Sequence, residues 1–418
     1  MNVRLYAVRA IGSVLQMLPI ATVRTLVRTL TVHNTRHGQE RQLLVDVSVT
    51  LRQDARSGIQ RAVRAWLGAL QAHPPAGFCV RPIFATHRHN YRYAPDLTCS
   101  TQQLENAQPV IAEPGDVFLG IDLVAHLLPR WQFQLLQWKA AGVQIDIVVH
   151  DLLPLLHPEW FNPKTVRNFG RWAQVLAKYA DHLICTSQSV AKDVSHWKAN
   201  SRVLRQGEAR IYLAPLGADI LASSPSQGLR PEHHEMLRQL SNQEIVLIVG
   251  TVEPRKGHAI ALDAMEELWS QGRTTVLVIV GRPGWKTKDL QQRLRTHPEH
   301  GERLLWIDDA SDEMLGHLYV LAKGVLNPSL GEGFGLPLVE AMYHNCSLLA
   351  RNLDVFREIA GEQIEYFDDD TSQALAKRIA QWLDNIPLHK RPPYNVRTWE
   401  ESASDLRRLY ADRPASPL

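Results

Sequence analysis

Between residues 326 and 342 the chain reads LNPSLGEGFGLPLVEAM, and few folds have a place for such a run. Gly324 to Leu326 predicts the end of a short buried strand. Asn327 to Gly335 predicts a loop, with Gly331, Gly333 and Gly335 at every second place. Glycine allows positive φ and lets a ligand approach the main chain. Pro337 fits the first turn of a helix, where its missing N–H costs nothing. The helix continues through Leu338, Val339, Ala341 and Met342. A glycine-rich loop that opens a helix presents unpaired N–H groups and the positive end of the helix dipole. The ligand that suits it is a phosphate.

Two carboxylates flank this anion site, Glu332 in the loop and Glu340 in the helix. Either would repel a phosphate that touched it. Each fits better as an acceptor of hydroxyl hydrogen bonds on the two sides of the phosphates, which is the layout of a nucleotide sugar. The plainer alternative is a turn before an amphipathic helix, with Glu340 an acid favourable to the dipole by roughly 0.3–1 kcal/mol. The glycine pattern does not match a dinucleotide-binding dehydrogenase loop.

A chain of 418 residues is too long for one ordinary core and predicts two domains. A net charge of +3 gives no argument for nucleic acid. Cys79, Cys99, Cys185 and Cys346 form no CxxC pair and read as reduced thiols. The histidines show no HExxH-type spacing, so no structural metal is expected. Residues 1–39 contain no Asp or Glu, while Arg4, Arg9, Arg24, Arg28 and Arg36 punctuate apolar stretches too short to span a bilayer. This basic arm, 1–40, fits either a helix lying on an anionic membrane face or a pair of helices packed on the first domain. No convincing signal-peptide cleavage site is present. The expected location is cytoplasmic, with peripheral contact on the inner membrane face if the arm binds there.

From residue 41 strands and helices alternate. Leu43–Val49, Phe78–Phe84, Val117–Leu123, Val143–Val149 and His182–Thr186 are predicted strands, and Ser57–Ala72 is an amphipathic helix. Residues 85 to 109, rich in His, Arg, Tyr and Asn, read as a long loop. Residues 220–241 suit a linker, and βα alternation restarts at Glu244. Alternating βα units predict parallel sheets covered on both faces. The expected division is a first Rossmann-like domain at 41–219, the linker, a second at 242–394, and a final helix within 395–418. The two doubly wound α/β domains would face a cleft, with ligands beyond the carboxyl ends of the strands.

Three further constellations sit at such strand ends. Gly250 to His258 (GTVEPRKGH) places Arg255 and Lys256 in a turn that would face the glycine loop. Fixed cations there stabilise charge that develops on a leaving diphosphate. His150 and Asp151 end a strand of the first half, and imidazole can hydrogen-bond a hydroxyl or exchange protons near neutral pH. Arg56 to Arg61 (RSGIQR) puts Gly58 at a strand-to-helix turn; Arg61 is there either a cleft residue or a solvated arginine. Asp368-Asp369-Asp370 is DxD-like but is expected to be a helix-capping turn.

The spacing of Glu332 and Glu340 around GFGLP resembles the donor-site signature of family 4 glycosyltransferases of the GT-B fold. The resemblance implies a retaining, metal-independent transferase using a nucleoside-diphosphate sugar. It implies that Glu340 binds ribose hydroxyls, that Glu332 binds sugar hydroxyls, and that Gly333, Phe334, Gly335 and Leu336 offer backbone donors. His150 corresponds to the family's cleft histidine and Lys256 to its lysine. Many members carry an arginine where this chain has Thr251, and Arg255 is the nearby substitute. The SGIQR run resembles a subgroup of bacterial enzymes of surface polysaccharide synthesis, many of them mannosyl- or rhamnosyltransferases. That implies GDP-mannose as donor and a glycan or lipid-linked glycan as acceptor. It also implies Gly58 near the donor phosphates, with Arg61 and Asp151 on the acceptor side. In this fold a terminal helix crosses back to the first domain. Two other functions remain open: a non-catalytic nucleotide-sugar-binding subunit, and a glycosidase using Glu332 and Glu340 as its acid pair.

Overall fold

The computed structural model describes residues 40–52, 57–95, 97, 101–201, 208–223, 225–368, 370–386 and 393–411. The basic arm up to residue 39, Arg56, Cys99 and Asp369 lie outside the described residues. Seven strands form the first sheet: β1 (Arg41–Asp46), β2 (Phe78–Phe84), β3 (Arg92–Tyr93), β4 (Val117–Gly120), β5 (Gln144–Val149), β6 (His182–Cys185) and β7 (Arg210–Leu213). Their order is β3-β2-β1-β4-β5-β6-β7, parallel except at β3. Six parallel strands form the second: β8 (Ile245–Val249), β9 (Val276–Val280), β10 (Leu304–Ile307), β11 (Gly324–Asn327), β12 (Ser347–Arg351) and β13 (Glu365–Phe367), ordered β10-β9-β8-β11-β12-β13.

Both sheets are doubly wound for the expected reason. Strands such as IVLIV and VLVIV are apolar on both faces, so both faces need helices. Alternation sends Leu43 and Val45 of β1 toward the helix Gly58–Ala72 and Leu44 toward the helix Pro163–Tyr179. The strand order reverses at β1/β4 in the first sheet and at β8/β11 in the second. Those two reversals open crevices beyond the strand ends.

The last helix, Trp399–Ala411, follows the second sheet in the chain but packs on the first. Trp399, Ala403, Leu406 and Tyr410 join the core built around Val63 and Trp66. Trp66 Nε1 donates to Ser402 Oγ at 2.8 Å, and Trp399 N donates to Asp219 Oδ1 at 2.6 Å. Gly217 is required where the chains meet, because a Cβ there would lie 2.3 Å from Trp399 N.

Several elements differ from expectation. The first strand stops at Asp46, not Val49. Asp46 accepts the Ser48 N–H and Asp122 accepts those of Val49 and Thr50, so side chains cap a short helix, Ser48–Arg52, in place of further ladder. β3 and β7 are short edge strands with too little apolar pattern to register in the sequence. Within 220–241, Pro231–Leu240 is helical, with proline in its first turn. The helix Ser372–Asn385 is capped by Thr371, whose hydroxyl accepts from Ala374 N, and not by the aspartates before it. Among the described residues no helix is long and apolar enough to cross a membrane.

Trp399→Ala is expected to cost about 3–5 kcal/mol, the usual price of emptying a buried indole site. Urea unfolding read through a first-half probe would show it.

Candidate active site

The crevice at β8/β11 is flanked by the two loops singled out in the sequence, 250–258 after β8 and 327–335 after β11. A pocket of about 560 Å³ lies there between the two halves. All twelve expected site residues line it: Gly58, Arg61, His150, Asp151, Arg255, Lys256, Glu332, Gly333, Phe334, Gly335, Leu336 and Glu340.

The glycine loop is shaped by close approach. Gly335 has φ of 96° and precedes the helix Leu336–Tyr343, with Pro337 in its first turn. A Cβ on Gly333 would lie 1.9 Å from the His150 carbonyl oxygen. Ser187 Oγ, also from the first half, donates to Gly333 O at 2.7 Å. Leu330 N donates to Arg255 O at 2.7 Å, which joins the two loops of the second half. Gly58 stands at the start of the helix Gly58–Ala72, capped by Ser57, where a Cβ would be 3.0 Å from Leu336 Cδ1.

Glu332 is the centre of one buried charge cluster. Lys256 Nζ reaches its Oε1 at 2.5 Å, and Arg255 Nη1 its Oε2 at 2.7 Å. Ser329 Oγ donates to Oε1 at 2.8 Å. Glu253 Oε1 lies 2.8 Å from Arg255 Nε. Burial alone would raise the Glu332 pKa, but Lys256 and Arg255 outweigh it and hold the carboxylate at about 2. The expectation that Glu332 faces sugar hydroxyls therefore needs a qualification: both its oxygens already serve the cations. Arg255 sits in the site despite the displacement from Thr251.

Glu340 belongs to a second cluster. Arg61 reaches across from the first half and pairs with both Glu340 and Asp312. Tyr319 OH donates to Glu340 Oε2 at 3.1 Å, and Asp312 Oδ2 accepts from Ser226 N at 2.7 Å. Arg61, expected on the acceptor side, lies against the carboxylate expected to take ribose. The reason is reach: Arg61 leaves the inner face of its helix directly over the start of the helix Leu336–Tyr343, and two buried carboxylates there need a cation.

His150 is buried at the end of β5. Its Nε2 donates to Ile121 O at 2.9 Å, because a carbonyl can only accept, so Nδ1 is the free acceptor. Burial holds its pKa below the ordinary imidazole range. It is therefore neutral near pH 7, and the Trp66 ring stacks against it at 6.3 Å. Asp151 is half-buried, and desolvation raises its pKa against the pull of Arg255.

Sequence reasoning missed Asp312, Tyr319, Ser329 and Glu253. Asp312 follows Ser311 at a helix start, where Ser-Asp-Glu is ordinary capping chemistry. Tyr319 occupies a core-like helical position. Ser329 and Glu253 did have a signal, their places inside the glycine loop and the basic turn.

Two outcomes follow from the clusters. Glu332 has a folded pKa of about 2 against 4.5 when exposed. Its stabilisation, on the order of 3 kcal/mol, is complete above pH 4.5 and fades as the pH falls toward 2. The stability gap between the native chain and Glu332→Gln, followed by denaturant titration, should narrow over that window. Arg61→Met should cost about 3–5 kcal/mol at pH 7, since it strands two buried carboxylates, and equilibrium unfolding would register it.

Residues 230–399 match the family described as Glycosyl transferases group 1. Serotype-specific mannosyltransferase WbdA of Escherichia coli is 39% identical over 373 residues, 88% of this chain and 44% of the relative. The chain thus spans about half the length of the curated relatives it matches. O-antigen chain mannosyltransferase RfbU of Salmonella typhimurium is 24% identical over 245 residues, 57% of this chain and 62% of the relative. Among solved structures, Anabaena HepE in complex with UDP and glucose superposes with a TM-score of 0.56 at 17% identity, over 89% of this chain and 96% of that one. That likeness is one of fold. The chain has the GT-B fold, and its residues 230–399 belong to the glycosyl transferases group 1 family.

Proposed function

We propose that this chain is a retaining glycosyltransferase that moves mannose from GDP-mannose to a glycan or lipid-linked glycan acceptor in surface polysaccharide synthesis. The observation that carries the transfer reading is the pairing of Arg255 and Lys256 at the mouth of the helix Leu336–Tyr343, inside a pocket walled by both sheets. Mannose, the guanosine donor and the glycan acceptor rest on the names of the relatives and on the SGIQR resemblance.

The donor diphosphate competes with Glu332 for the two cations. As they turn to phosphate, the Glu332 oxygens become acceptors for sugar hydroxyls. Ribose hydroxyls similarly displace Arg61 from Glu340, while Arg61 keeps Asp312. The acceptor hydroxyl oxygen then bonds to the sugar C1 as the C1–O bond to phosphate breaks. The proton passes to the departing phosphate oxygen on the same face, which retains configuration. Lys256, Arg255 and the helix N–H groups stabilise the charge left on the diphosphate. Neutral His150 offers Nδ1 to a sugar hydroxyl. This route assigns no step to a divalent ion. A glycosidase role fits the geometry poorly, because Glu332 is engaged by Lys256 and Arg255 and Glu340 by Arg61 and Tyr319, which leaves neither carboxyl free to give a proton to a leaving group.

Thermal shift across GDP-, UDP-, ADP- and dTDP-sugars should single out the GDP-sugar. Glu332→Gln should retain nucleotide binding but lose roughly tenfold or more in turnover, since a charge-assisted hydrogen bond is worth about 1.5–3 kcal/mol. Glu340→Ala should weaken nucleotide binding too, and Lys256→Ala should abolish turnover. Wild-type rates in all three would overturn the reading.

A further inference from the structure

Sheets of this kind bind ligands where the strand order reverses, and this chain has two such places. The crevice at β8/β11 holds the pocket described above. The one at β1/β4, on the cleft-facing rim of the first sheet, has so far been given no ligand. We propose that it binds a phosphate group carried by the acceptor, a reading of the substrate that rests on the glycosyl-transfer function.

Four segments beyond the C-terminal ends of neighbouring strands bring their basic groups together there. Arg52 ends the short helix after β1, His87 follows β2, His126 follows β4, and Lys164 stands in the first turn of the helix Pro163–Tyr179 between β5 and β6. All four are exposed. The His87 and His126 rings lie 5.4 Å apart between centroids. Partial desolvation and then the charges of His87, Arg52 and Lys164 hold His126 below its ordinary pKa, and no acid among the described residues figures with them. The carboxylates beneath the crevice are already engaged. Asp46 takes hydrogen bonds from Ser48 and Tyr91, and Asp122 takes those of Val49 and Thr50. Among the described residues, neither Arg52 nor Lys164 forms an ion pair.

The loops are held in place before any ligand arrives. Thr86 N donates to His89 O at 2.9 Å, and Thr86 Oγ1 accepts from Arg88 N and His89 N. Trp131 Nε1, from the segment after His126, donates to Thr86 O at 2.8 Å, which ties the two histidine loops together. None of the four basic residues lines the donor pocket. The crevice is thus a second subsite along the same rim. An acceptor whose hydroxyl enters the pocket can lay a phosphate across it. Two cations beside a pair of imidazoles suit a phosphate ester, from a soluble acceptor or from a lipid headgroup.

The test uses the full chain with ¹³C-labelled histidine, the His126 resonance being assigned through His126→Gln. Glycerol 1-phosphate should shift that resonance saturably and raise the pH at which it titrates, whereas glycerol should do neither. The double variant Arg52→Gln/Lys164→Gln should bind the phosphate ester at least tenfold more weakly. No phosphate-dependent shift, or equal affinity in the double variant, overturns the proposal. Sedimentation with phosphatidylglycerol vesicles but not phosphatidylcholine vesicles, lost in the double variant, assigns the phosphate to a lipid headgroup. Phosphate-ester binding without such sedimentation assigns it to a soluble acceptor. Nucleotide thermal shift on the same samples reads the donor pocket separately, so a failure there would count against glycosyl transfer and not against this subsite.

Discussion

Two carboxylates buried in a cleft are the constraint on which the rest of this structure depends. A lone carboxylate at such a depth costs several kcal/mol in solvation. Glu332 is compensated by Lys256 and Arg255 from its own half, Glu340 by Arg61 from the other half. The first cluster fixes the two loops of the second sheet against each other. The second fixes the two sheets against each other, because Arg61 also holds Asp312. Between them they set the width of the pocket.

Such closeness also dictates where side chains are forbidden. His150 O touches the space a Gly333 side chain would need, and Pro328 O the space at Gly257, whose φ is 69°. These are contacts of backbone with backbone, so no rotamer change could relieve them. The same economy appears at Gly217, where the returning helix meets the end of the first half. The glycines of the chain that matter to the site are those that let one loop lie on another.

The second half of the site was legible because its chemistry is local. Glu332, three glycines, Pro337 and Glu340 stand within ten residues, and a strand–loop–helix reading places them in register without knowledge of anything distant. Lys256 and Arg255 needed only the inference that strand ends share a rim. The first half was less legible because its contributions are scattered. Arg61 has the same helical signature whether it faces solvent or a cleft, and only the path of its helix over Leu336 decides. In the second half, Asp312 and Tyr319 were equally hidden, because they carry the patterns of a capped helix and its core face and nothing in one sequence marks them as partners of Glu340. The stop of β1 at Asp46 depends on Asp122, more than seventy residues away, and β-propensity through Val49 cannot register that.

The clusters have a consequence for how a donor would be held. A cation committed to a carboxylate binds phosphate less tightly than a free one, since the first partner must be given up. On the proposed reading, Glu332 therefore lowers ground-state affinity for the diphosphate. The exchange becomes more favourable as charge accumulates on the leaving phosphate, because the attraction to Lys256 and Arg255 grows while the Glu332 charge is constant. Interactions that strengthen along the reaction raise the rate, whereas those equal in ground and transition state only tighten binding. On that reading, a carboxylate that competes for the two cations is compatible with catalysis, and the Glu332 cluster has the form expected of a site that holds its substrate weakly and the departing diphosphate more strongly.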